Sequence, residues 1–151
     1  MVPMAEQLQK RFVFFSTLDP AEVDDFLRFC ERRSVAAGEV LWREGDSDNY
    51  AAFIVSGRIG IKKRTEFARE QVIVGTYGSG SVAGELCLLT ENTRSVTAEV
   101  LEAGELVLLR STRFEDLISR HPQLALKLLK HIFTTTCGRL RKSYERIASI
   151  F

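Results

Sequence analysis

The sequence predicts a mainly β protein with some α structure: a sandwich or jelly-roll barrel with one helix before it and two after it. Three observations predict it. Apolar residues recur with a helical period up to about Phe29. From Arg33 to Arg110, short runs rich in Val, Ile, Phe and Thr alternate with turn residues, at a spacing of roughly 8 to 12 positions. The helical period then returns from Thr112 onwards. At 151 residues, 45% hydrophobic and 27% charged, the chain has the size and composition of one folded domain. We divide that single domain into an N-terminal helical segment over 1–30, a β block over 31–110 and C-terminal helices over 111–151.

Within the first segment, Asp19, Pro20 and Glu22 are spaced as an N-cap, a first-turn proline and a capping-box acid. Val23, Phe26, Leu27 and Cys30 follow, so one amphipathic helix should start near Asp19. Turns in the β block are marked by Gly38, Gly45-Asp46, Ser56-Gly57, Gly78 to Gly80 and Ala103-Gly104. Phe53-Ile54-Val55 precede Ser56-Gly57, and Ile59 and Ile61 then alternate with Arg58, Gly60 and Lys62, which reads as a tight hairpin. Thr112 and Glu115 have capping-box spacing for a short helix through Leu117 and Ile118, and Pro122 opens a longer one. Its stripe of Leu124, Leu128, Ile132, Thr136 and Leu140, thickened by Leu129, Phe133 and Ile147, should pack on the β block or on a second copy. Thr134-Thr135-Thr136 and Gly138 are poor helix formers, and predict a hinge there.

Composition excludes several functions. With 21 Lys and Arg against 20 Asp and Glu, no global charge draws the chain to nucleic acid or to an anionic membrane. Cys30, Cys87 and Cys137 are odd in number and far apart, which argues against a disulfide framework or a zinc site and for reduced thiols in the cytoplasm. No signal-peptide core or long apolar run is present. The two histidines, His121 and His131, both fall among the C-terminal helices, which leaves no imidazole on the strands for a triad, a metal centre or a cupin-type enzyme. We therefore expect no enzyme, no metal and no cofactor. His121 reads as a helix-boundary residue and His131 as a solvated one. The basic run Arg120, Lys127, Lys130, Arg139, Arg141, Lys142 and Arg146 reads equally as a solvated face or a partner surface.

The chemistry lies in Gly78-Ser79-Gly80-Ser81-Val82-Ala83-Gly84-Glu85-Leu86-Cys87-Leu88-Leu89 and its continuation to Thr97. A glycine-rich approach to a short apolar helical turn presents backbone N–H groups suited to a phosphate. Arg94 supplies a planar guanidinium that can hold a phosphate through paired hydrogen bonds, and Glu85 an acceptor for a ribose hydroxyl. A simple ion pair between Glu85 and Arg94 is the alternative.

Together these residues resemble the cyclic nucleotide-binding domain family, of the catabolite-activator and protein kinase A regulatory-subunit type. Gly38, Leu41, Glu44-Gly45-Asp46 and Phe53-Ile54-Val55 with Gly57 look like its opening pattern, and Gly84-Glu85-Leu86 with Arg94 look like its phosphate-binding cassette, here over 83–97. Phe114, Leu117, Ile118 and Pro122 are similar to its C-terminal lid region. The resemblance implies a jelly-roll (double-stranded β-helix) barrel and a ligand-binding set of Gly84, Glu85, Leu86, Cys87, Arg94, Ser95 and Val96. In that set Glu85 takes the ribose 2′-hydroxyl and Arg94 the cyclic phosphate, while Cys87 occupies a small-residue position. Ala83, Thr93 and Val96 depart from the usual phenylalanine, proline and alanine. A residue of the last helix, Arg139 first and then Arg141 or Tyr144, would cap the base.

The implied function is that of a cytoplasmic sensor of a 3′,5′-cyclic nucleotide, cyclic AMP favoured over cyclic GMP, that signals by rearranging its C-terminal helix. Its partner would be a second copy, joined through that helix, or an effector protein. The alternative is a fragment of a catabolite-activator-type transcription regulator without its DNA-binding domain. The chain alone carries no second recognition helix, so it should not read DNA specifically.

Overall fold

In a computed structural model, described over residues 2–47, 49–67 and 69–151, eight strands form two antiparallel four-stranded sheets with helices at both ends of the chain. The strands are β1 (Glu31–Val35), β2 (Val40–Trp42), β3 (Tyr50–Ile54), β4 (Arg58–Arg64), β5 (Gln71–Tyr77), β6 (Val82–Ala83), β7 (Thr97–Glu102) and β8 (Gly104–Arg110). One sheet has the order β1-β8-β3-β6 and the other β2-β7-β4-β5. The expected barrel does not close, because β1 and β6 end one sheet, β2 and β5 end the other, and among the described residues no ladder joins them. This corrects the jelly-roll barrel reading to a mixed fold of two open sheets. The inner faces meet through bulky side chains: Tyr50, Ile54, Leu106 and Leu108 from the first sheet against Trp42, Ile59, Ile61 and Val100 from the second.

The two central strands of the first sheet, β3 and β8, are buried on both faces. All five residues of β3 are buried, since Ala51 and Phe53 on its outer face, with Val107 and Leu109 of β8, pack against the helices. That explains why this stretch shows no alternation. The tight hairpin expected at Ser56-Gly57 is absent: β3 pairs with β6 and β8, whereas β4 pairs with β5 and β7. The turn instead carries the chain from one sheet to the other. It fits against the second crossing at Ala103-Gly104, where Ser56 and Val55 donate to the Glu105 carbonyl at 3.2 and 3.0 Å. Gly57 has a φ of +91°, and a Cβ there would stand 2.6 Å from the Glu102 carbonyl oxygen.

At the N-terminus there are three helical segments rather than one: α1 (Met4–Arg11), α2 (Val13–Ser16) and α3 (Pro20–Leu27). Asp19 and Glu22 do form the capping box of α3. Upstream of it, Phe12, Phe14 and Phe15 turn inwards with Phe26 and Phe53 into an edge-to-face cluster, with centroids between 4.9 and 5.8 Å, and so break the chain into short turns.

At the other end α4 spans Ser111–Arg120 and α5 spans Pro122–Ala148. The cap of α4 is Arg110, without a side-chain bond, so Thr112 lies inside the helix and the expected box is not formed. In α5 only Leu124, Ala125, Leu128 and Ile132 are buried, and Phe133, Leu140 and Ile147 are exposed. The helix runs without a break through Gly138, where a hinge was expected: the Thr134 hydroxyl donates to the Lys130 carbonyl at 2.8 Å, within the helix.

Gly57→Ala should lower stability by ~1–2 kcal/mol for the left-handed backbone alone and by more through the carbonyl contact. Gly38→Ala, at a φ of +89° but with nothing within 4 Å of the new Cβ, isolates the first part. Urea unfolding of both variants should place the Gly57→Ala midpoint below that of Gly38→Ala.

Candidate functional site

A cavity of about 910 Å³ is lined by residues of β5 and β6, the end strands of the two sheets, with the middle of α5 over it. Gly84 follows β6 with a φ of +71°, and a Cβ there would stand 3.0 Å from the Trp42 ring and overlap the Arg94 guanidinium. Only glycine fits this junction. A single 3-10 turn, Glu85–Leu88, follows; it exposes Leu86 and buries Cys87 and Leu88 in the helix-side core. Cys87 is therefore a packing residue.

Arg94 is held at both ends. Its backbone N–H donates to the Asp46 carbonyl at 2.7 Å, and its carbonyl accepts from Gly45 at 2.8 Å, so the Glu44-Gly45-Asp46 turn fixes its main chain. Its side chain is buried, 4% exposed, and is the one buried charged side chain among the described residues. Nη2 donates to the Tyr50 carbonyl at 2.7 Å and Nη1 to the Gly84 carbonyl at 3.4 Å. The guanidinium carbon lies 3.7 Å from the Trp42 ring centroid and 4.9 Å from that of Tyr50. Next to it, Ser95 is exposed on the cavity wall and its carbonyl accepts from Lys63 Nζ at 2.9 Å. Lys63 also pairs with Glu44, whose carboxyl this partner holds below the usual carboxylate range. Val96, half-buried, packs against the inter-sheet core.

Glu85 reaches the cavity from the other side, and its partner is on α5. Its carboxylate accepts from Arg139 Nη1 at 2.9 Å, Arg139 Nη2 donates to the Val82 carbonyl at 3.3 Å, and the Arg139 guanidinium lies 4.7 Å from the Tyr77 ring. Of the three lid candidates, then, the structure brings only Arg139 to the cavity; Arg141 and Tyr144 are exposed and outside its lining. All seven candidate ligand-binding residues except Cys87 line the cavity. Sequence reasoning missed Trp42, Tyr77, Leu129 and Phe133, which also line it. In the sequence Leu129 and Phe133 are visible only as members of the α5 apolar stripe, and Trp42 only as the chain's one tryptophan.

A smaller cavity of about 240 Å³ lies behind the Glu85 and Arg139 pair, with Arg11, Ser81, His131 and Thr135 around it. His131 was expected in solvent but is half-buried, its ring 5.7 Å from that of Phe14. No helix among the described residues is long and apolar enough to cross a membrane.

The two sheets, the glycine-led turn and the buried arginine define a class. Residues 32–121 match the cyclic nucleotide-binding domain family, and the chain belongs to it. This domain is regulatory rather than catalytic. Among solved structures, a cyclic nucleotide-binding domain from Methylobacillus flagellatus superposes with a TM-score of 0.83 at 21% identity, covering 98% of this chain and 82% of that one, a likeness of fold. The catabolite activator protein of Thermus thermophilus matches with a TM-score of 0.74 at 28% identity, over 91% of this chain and 62% of that one. The regulatory domain of Toxoplasma gondii PKA, solved with cAMP, matches with a TM-score of 0.63 at 26% identity, over 75% of this chain and 42% of that one. A lysophospholipase of Aspergillus fumigatus is 30% identical over 112 residues, 74% of this chain, and the chain spans 7% of that relative's length.

Burial holds the His131 imidazole below its ordinary value, so the folded state favours the neutral ring. Stability from this group is fully present above the unfolded value of about 6.5 and is lost as pH falls through the lower folded value. Thermal melting should show wild type losing more stability than His131→Gln when the pH is taken from 7 to 5.

Proposed function

We propose that this protein is a sensor that binds a 3′,5′-cyclic nucleotide in the large cavity and passes the event to α5. In this reading the cyclic phosphate lies against Gly84, the backbone of the following turn and Arg94, while Glu85 accepts from the ribose 2′-hydroxyl. The observation that carries the proposal is the Glu85 and Arg139 pair at 2.9 Å, because the acid meant for the ribose is engaged by the helix meant to move. Ligand and helix then compete for, or share, one carboxylate, and α5 responds to occupancy. Arg139 is the base lid; the purine would lie among Tyr77, Leu129 and Phe133. Cyclic AMP is our preferred ligand over cyclic GMP; Ser95, which follows the cassette arginine, lines the cavity.

Removing one partner of a partly buried charged contact costs about 2–5 kcal/mol, so Arg94→Leu should weaken cyclic AMP binding by at least about thirtyfold. Glu85→Gln should lose less, and 2′-deoxy ligand should bind that variant nearly as well as the parent ligand. Calorimetric titration of both cyclic nucleotides into each protein is the test, and equal affinity of wild type and Arg94→Leu would reject the site. Cyclic GMP binding tenfold more tightly than cyclic AMP would reject the base preference.

A second copy is the partner we propose. Phe133, Leu140 and Ile147 recur every seven residues along α5, with Tyr144 between the last two and all four exposed, which is the seam of a two-stranded coiled coil. A place within a longer regulator is compatible with this reading, as the catabolite activator and lysophospholipase relatives are longer chains. Sedimentation should find a dimer for wild type and a monomer for Leu140→Glu. A wild-type monomer at high micromolar concentration would exclude that seam.

A further inference from the structure

We infer that Trp42 is the positioning residue for Arg94, setting the plane in which its guanidinium meets the ligand's phosphate; this rests on the binding reading above. A guanidinium donates hydrogen bonds only from its edge and stacks only through its face. The indole of Trp42 lies 3.7 Å from the Arg94 guanidinium carbon, which is stacking distance, so one face is covered. With that face covered, the edge is confined to one plane. In that plane Nη2 reaches the Tyr50 carbonyl at 2.7 Å, and Nη1 points to Gly84, the residue from which the cassette turn begins.

The indole is itself fixed. It is 5% exposed, it meets Tyr50 edge-to-face with centroids 5.5 Å apart, and its far end is the Cη2 atom that stands 3.0 Å from where a Gly84 Cβ would be. The ladder between β2 and β7 shifts register between Val40 and Trp42, an irregularity of the kind that re-aims a side chain. Stacking also lowers the cost of keeping a charged group 4% exposed beside an apolar sheet interior, since an indole face is the best neutral partner for a cation. A leucine at 42 would fill the sheet interior but offer the guanidinium no ring face to stack on, whereas a phenylalanine would restore a face.

Trp42→Leu should weaken cyclic AMP binding by about tenfold, and Trp42→Phe should recover most of that loss. Adenosine, which lacks the phosphate, should bind wild type and Trp42→Leu within about twofold of each other. In an Arg94→Leu background, the Trp42→Leu change should cost under about twofold, because the group it positions is gone. A loss of the same size in both backgrounds, or an equal loss for adenosine, would make Trp42 a packing or base-contacting residue and overturn the inference. The stack can also be read without ligand. Trp42 is the only tryptophan, so Arg94→Leu should shift or brighten the emission of the ligand-free protein, while Arg141→Leu on the exposed helix should not. Unchanged emission in Arg94→Leu overturns the stack itself; a shifted emission with no wild-type binding of cyclic AMP overturns the binding reading, and the phosphate role with it.

Discussion

The structure around the cavity depends on one buried cation. Taking a charge out of water is costly unless hydrogen bonds and polarisable neighbours replace its hydration. Around the Arg94 guanidinium such replacements come from the Tyr50 carbonyl, the Gly84 carbonyl and the Trp42 ring, while the Glu44-Gly45-Asp46 turn fixes its backbone. Three of these have a further duty. The turn is tied through Glu44 and Lys63 to β4, Tyr50 opens the strand at the centre of the first sheet, and Gly84 begins the turn that faces α5. A change at the guanidinium is thus felt in both sheets.

Much of this was legible in the sequence because it is local. Gly84, Glu85 and Arg94 lie within eleven positions, and the left-handed φ that Gly84 adopts is one that other residues rarely take. Asp19, Pro20 and Glu22 act within one helical turn, so their spacing was sufficient to place α3. What could not be read was which distant surface each element meets. Ile59 and Ile61 alternate in the same way whether β4 pairs with β3 or with β7, so alternation alone suggested a hairpin that does not exist. The apolar stripe of α5 likewise records amphipathicity but not the partner, and beyond Ile132 none of its apolar side chains is buried. Trp42 and Tyr77 belong to the site only because non-adjacent strands bring them there.

Sheet closure shows the same limit in another form. Strand count and turn spacing are identical for a closed barrel and for two facing sheets, and the difference rests on whether the last strands bond each other. Here β6 has two residues and leads at once into the Gly84 turn, too short to extend a ladder towards β5. The gap between them is where the cavity opens.

Leaving that gap has a cost outside the site. β5 is an edge strand with Val72, Ile73 and Val74 exposed in succession, and an edge of that kind can template pairing with strands of other molecules. The ladder between β4 and β5 shifts register after Ile61, and Gly75 interrupts the run of branched side chains, so the edge offers few consecutive residues in regular register to an incoming strand. The register shift in the β4 and β5 ladder thus also limits how far an incoming strand could pair along β5, and regularising it would trade solubility for regularity.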